Sequence, residues 1–141
     1  MGIQLNHLII RARDKVASAE FLARILGLQA GPEWAIFMPV RMSDGVTLDF
    51  AESTEIHPQH YAFLVSEAEF DAALARIRGA GVEFYADFDG SGRSEINHPY
   101  GGRGVYFYDP NGHLLELITH PYGPIPEKWS ETAVRGHSDS R

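Results

Sequence analysis

The two halves of this 141-residue chain can be laid over each other. His7 precedes Gly27 by 20 positions, and His60 precedes Gly81 by 21. Asp44-Gly45 begins five positions before Asp49, and Asn111-Gly112 begins five positions before Glu116. Each half therefore reads as a strand, a helix and three strands, with a histidine on its first strand and an acid on its last. Such a repeat predicts an α+β fold with pseudo-twofold symmetry. The first and last strands of each half are expected to set four polar residues around one cavity.

Local signals support both copies. In the first, Leu5 to Ile10 has strand composition, and Asp14 is placed to cap a helix. Val16, Ala19, Phe21, Leu22, Ile25 and Leu26 form its apolar stripe, with Gly27 at the C-terminal stop. Residues 35–40 and 46–51 are two further strands around an Asp-Gly turn signal. In the second copy, residues 60–65 form a strand, and residues 67–78 form a helix with Phe70, Ala73, Leu74 and Ile77 as its stripe. Residues 82–88 are a strand candidate. Val105 to Tyr108, the turn Asp109-Pro110-Asn111-Gly112, and Leu114 to Ile118 then make a hairpin. Residues 120–141 have little periodicity and read as an arm, disordered at its end, with Tyr122 and Trp129 available to dock on the body or on a partner.

Glu116 is the polar residue that needs explaining. It sits between leucines and shares a strand face with Leu114 and Ile118, where an unpartnered carboxylate costs several kcal/mol. His7 shares its face with Leu5 and Ile9. Taken singly, each histidine reads as a core imidazole bonded to a carbonyl, and Glu116 as an ion pair with Arg11 or Arg103. Occurring together at repeat positions, His7, His60 and Glu116 favour a metal site. His113, in the turn, is expected to face solvent or a neighbour of that site. Tyr106 and Asp49 are the candidates for a catalytic role beside it.

Composition narrows the partners. The chain has no cysteine, so disulfides and thiolate ligands are excluded, and any metal must be held by His and carboxylate. A net charge of −7 argues against nucleic acid. No apolar run is long enough to span a membrane, and no secretory signal opens the sequence, so the expected location is cytoplasmic.

The repeated βαβββ pattern resembles the vicinal oxygen chelate superfamily: glyoxalase I, extradiol dioxygenases, fosfomycin-resistance thiol transferases and bleomycin-resistance binding proteins. Asn6-His7-Leu8, His60-Tyr61-Ala62-Phe63 and the run from Val105 to Glu116 carry the resemblance, which covers about residues 3–119. It implies one domain over residues 1–119, with modules at about 3–52 and 58–119, forming a curled mixed sheet around a metal cavity. It also implies ligation of a divalent ion (Fe, Mn, Ni, Co or Zn) by His7, His60 and Glu116, and a homodimer. Asp49 stands where glyoxalase I has a fourth ligand, a Glu.

Two imidazoles and one carboxylate leave open positions for a substrate that chelates through two oxygens. The expected function is a metal-dependent dioxygenase or lyase acting on a small oxygenated molecule. Two alternatives stand beside it: a fosfomycin-resistance thiol transferase or hydrolase, and a metal-free drug-binding protein of the bleomycin-resistance type. Against the first, that group has a Thr two residues after the first His, where this chain has Ile9.

Overall fold

The computed structural model describes residues 2–122. The element order is β1 (His7–Ala12), α1 (Lys15–Leu26), β2 (Met38–Arg41), β3 (Thr47–Glu52), β4 (His60–Leu64), α2 (Glu67–Gly79), β5 (Phe84–Tyr85), a 3₁₀ turn (Pro99–Gly101), β6 (Gly104–Tyr108) and β7 (Leu114–Ile118). The fold is α+β, with βαββ in the first module and βαβββ in the second; the third strand expected after α1 is reduced to an isolated bridge between Ala30 and Val40. Helix α1 starts where the Asp14 side chain accepts the Ala17 N–H, and stops at Gly27, whose φ is +73°. Helix α2 starts with a capping box, in which Ser66 and Glu69 each bond the other's backbone N–H.

The strands form two sheets, ordered β1-β3-β2 and β4-β7-β6-β5. In each module the first strand runs parallel to the last and lies at the sheet edge. Alternation then sorts the side chains. Ile10, Val40, Leu48 and Phe50 of one sheet and Phe84, Val105, Phe107, Leu115 and Leu117 of the other are buried with the apolar stripes of the two helices. His7, Ile9 and Asp49 fall on the other face of the first sheet; His60, Tyr106 and Glu116 fall on the corresponding face of the second.

The β6–β7 turn fastens the modules together. Gly112 has φ +90°, as its place in the turn requires. Asn111 is buried; its amide donates to Ser18 Oγ at 2.8 Å, and its oxygen accepts the Arg13 N–H at 2.9 Å. His113, expected to face solvent or a neighbour of the metal site, is 1% exposed and bonded to backbone groups of the first module and of the segment before β4. Its Nδ1 accepts the Gln59 N–H at 3.0 Å, so Nε2 carries the proton and donates to the Arg11 carbonyl at 2.9 Å. The ring thus joins the start of β4 to β1.

Two boundaries differ from the sequence reading. The strand expected over residues 82–88 is reduced to Phe84–Tyr85, because the Ala86 and Asp87 N–H groups turn to the carbonyls of Gly92 and Ser91. The strand expected from Ala35 begins at Met38. Trp34 and Phe37 exchange backbone bonds across a tight turn, and Ala35 adopts φ +50° inside it.

Candidate metal centre

Glu116 lies at the centre of β7, opposite Ala62 of β4 on one side and Tyr106 of β6 on the other. It is 1% exposed, yet among the described residues no lysine or arginine meets it. The ion pairs that would have explained it are absent among the described residues: Arg103 is bound by Glu67 and Asp71, each at 2.8 Å, and Arg11 reaches toward Ser53. Glu116 Oε1 instead lies 3.0 Å from His60 Nε2.

The tautomer of His60 makes that contact informative. Its Nδ1 is 3.0 Å from the Leu114 carbonyl, an acceptor only, so Nδ1 carries the proton and donates. In the neutral ring the Nε2 lone pair then faces a carboxylate oxygen. Two lone pairs at that range need positive charge between or upon them: a second proton on the imidazole, or a metal ion. Ligating histidines commonly donate their other N–H to a backbone carbonyl in this way. The spacing also suits an ion, since two ligands about 2.1 Å from one metal at right angles lie about 3.0 Å apart. The donor set therefore fits a divalent cation.

Two tyrosines close the carboxylate's surroundings. The Tyr122 hydroxyl lies 2.8 Å from Glu116 Oε2 and 3.0 Å from Oε1. Tyr106 stands beside it, its hydroxyl 3.5 Å from that of Tyr122 and its ring 6.1 Å from the His60 ring. Burial, then the bond to Tyr122 and the nearby Glu116 charge, push the Tyr106 phenol far above its ordinary value of 10.0. It stays protonated and serves as a hydrogen-bonding group. Tyr122 was readable only as an aromatic residue able to dock; nothing in the pattern after β7 marks it as a neighbour of Glu116. Trp129 lies outside the described residues.

The other two candidates lie on the first sheet. The Asn6 side-chain oxygen accepts from His7 Nδ1 at 2.8 Å, which again leaves Nε2 with the lone pair. His7 is exposed and, together with Asn6, Gln29, Trp34, Arg41 and Asp49, lines a cavity of about 530 Å³. Asp49 is 2% exposed, and its Oδ1 has no hydrogen-bond partner. The cavity uniting all four residues within one chain is not what the structure has. Among the described residues, no group of three or more His, Asp or Glu is placed to hold a metal. The reason is the sheet order: β1 and β4 are edges of separate sheets and do not pair with each other. His60 and Glu116 meet, while His7 and Asp49 share the cavity.

The fold and this paired His/Glu face define the class of protein. The model of the Glyoxalase/Bleomycin resistance protein/Dioxygenase superfamily matches residues 4–117, and the chain belongs to that superfamily. It is 32% identical over 120 residues to the glutathione transferase FosA of Serratia marcescens, covering 80% of this chain and 78% of that protein. Among solved structures it is similar to the oxidase ChaP-H2, with 56% identity and a TM-score of 0.85, covering 87% of this chain and 98% of that one. It is also similar to the oxidase ChaP-H1, with 48% identity and a TM-score of 0.84, covering 87% of this chain and 100% of that one. No described helix is long and apolar enough to cross a membrane.

Proposed function

We propose that the protein is a divalent-metal enzyme that uses dioxygen to oxidise a small substrate chelating the metal through neighbouring oxygens, with His60, Glu116 and a His7 as its protein ligands. The observation that carries this reading is the lone-pair nitrogen of His60 facing the buried Glu116 carboxylate at 3.0 Å. A bound divalent ion would supply Lewis-acid polarisation of the substrate oxygens.

The third ligand comes from a second copy of the chain. His7 lies on the other sheet, and among the described residues both β1 and β4 are edge strands. The outer faces of those strands expose Ile9 and Leu64, with Leu5 just before β1. Free edges with apolar flanks suit pairing with another chain. In the resulting homodimer the His7 cavity of one subunit lies over the His60–Glu116 face of the other. Its volume is in the range of small-molecule pockets. Trp34 offers the substrate a flat apolar surface, and Asp49, which lines the same cavity, is the acid nearest to serve as a general base. Tyr106 orients Glu116 and whatever lies beside it.

Oxidation is favoured because the chain is 56% identical to a protein named an oxidase. FosA, at 32%, carries the second reading, thiol transfer to fosfomycin. Calorimetric titration of metal-free protein with Mn(II), Fe(II), Co(II), Ni(II) and Zn(II) tests the site. Wild type should bind, and Glu116→Gln or His60→Ala should weaken binding about 100-fold or more. Dioxygen uptake with catechols, turnover of a methylglyoxal–thiol adduct, and glutathione addition to fosfomycin then separate the reactions. A glutathione adduct without oxygen uptake would move the protein to the transferases. No metal binding by wild type would return it to the drug-binding class.

A further inference from the structure

We infer that Tyr122 is a positioning residue of the metal site, holding one oxygen of Glu116 so that only the other is offered to the ion. The inference rests on the metal reading above. Its own basis is the geometry of a single phenol against a single carboxylate.

Glu116 has two oxygens with different neighbours. Oε1 is the one that faces His60 Nε2, at 3.0 Å. Tyr122 lies nearer to Oε2, at 2.8 Å against 3.0 Å to Oε1. A phenol has one proton to give, and the shorter contact takes it. A neutral donor on a carboxylate makes a short, strong bond. With Oε2 so engaged, Glu116 meets an ion beside His60 through Oε1 alone.

The surroundings keep Tyr122 in place. Its ring packs at 6.2 Å from that of Tyr100, which is held at φ +53° in the Pro99–Gly101 turn, and its hydroxyl lies 3.5 Å from that of Tyr106. Tyr122 follows β7 by four residues, so the first part of the arm returns over the outer face of the strand that carries Glu116. A one-oxygen carboxylate leaves a coordination position that a two-oxygen carboxylate would fill. That position is what a substrate binding through two oxygens needs.

Tyr122→Phe keeps the ring and removes only the donor. In the full-length protein, Mn(II) affinity measured by calorimetry should fall about 10- to 100-fold, the usual range for losing a group that orients a ligand. With Co(II), the visible bands should weaken, because a released carboxylate can bind through both oxygens and higher coordination lowers their intensity. A purely structural role for Tyr122 would lower the melting temperature and leave the Co(II) spectrum of the loaded protein alone. Wild-type Mn(II) affinity and an unchanged Co(II) spectrum in Tyr122→Phe, with Glu116→Gln still defective, would overturn the inference and leave the metal reading standing. No Mn(II) or Co(II) binding by wild type would overturn both.

Discussion

In both modules the first strand runs parallel to the last with the same offset. His7 lies opposite Thr47 and Ile9 opposite Asp49, as His60 lies opposite Leu114 and Ala62 opposite Glu116. The third strand of the comparison differs: Pro39 faces Asp49 where Tyr106 faces Glu116. With equal backbones, the side chains decide. Glutamate, one methylene longer, reaches the histidine of its own module and a phenol. Aspartate does not, and His7 bonds Asn6 instead. One copy of the repeat holds a paired imidazole and carboxylate, and the other a cavity wall with an unbonded acceptor. Repetition thus supplied two chances at one geometry and kept both, in different uses.

The turns differ in the same way, and this yields the largest expected effect. Asn111 and His113 of the second turn are buried in bonds to the first module, whereas Asp44 of the first turn is exposed and only accepts the Val46 N–H. His113→Ala strands the Gln59 N–H and the Arg11 carbonyl and should cost about 2–4 kcal/mol in denaturant melts. Asp44→Ala should cost a few tenths of that. Equal losses would remove the distinction between a fastening turn and a surface turn. Next comes Gly112→Val. An added Cβ meets no neighbour, so the cost is the backbone strain of φ +90°, about 1–2 kcal/mol. Gly45→Val, at φ +97° and equally open, should match it within error, because strain does not depend on what the turn fastens. Asp49→Asn should act in the opposite direction. It keeps the shape and removes a desolvated charge, raising metal-free stability by about 1 kcal/mol, while Glu116→Gln, whose charge is hydrogen-bonded, should not.

The smallest effect is acid dependence at the foot of α2. The Thr119 hydroxyl, and then Arg103, hold the Glu67 carboxyl below its ordinary 4.5. A depressed acid contributes stability that is present above its unfolded value and lost as pH falls through the folded one. Replacing Glu67 by Gln should therefore lower stability slightly at neutrality, leave it unchanged well below pH 4.5 and so flatten the acid limb of the profile; a shift at pH 7 equal to that at pH 3 would mean packing, and not charge, is at work.

How much of this was legible follows from which interactions are local. The ends of α1 were, because Asp14 and Gly27 act within a turn of their own helix. The face of Glu116 was, because strand alternation has a fixed period. The short β5 was not: Val82 to Phe88 has strand composition, but a turn at Ser91 and Gly92 takes the backbone N–H groups of Ala86 and Asp87. His113 was misplaced because turn residues usually face water, and only a contact 102 positions away, with the Arg11 carbonyl, buries it. The same limit applies to the site. The repeat placed all four polar residues on strands, as found, but His7 and His60 lie on exposed strand faces and not on apolar ones. Whether two sheets of one chain bring them together depends on sheet order, and no residue pattern encodes it.

The central claim is that one metal site is built from two copies of the chain. It is tested most directly by mixing two defective proteins. His7→Ala and Glu116→Gln should each fail to bind Mn(II) tightly. Unfolded together and refolded as an equimolar mixture, they should form mixed dimers in which one of the two sites has both a native His7 and a native His60–Glu116 pair. The account predicts that about a quarter of all sites recover wild-type Mn(II) affinity. If wild type binds and the mixture recovers none, the ligands belong to a single chain or to another set of residues, and the shared site is contradicted.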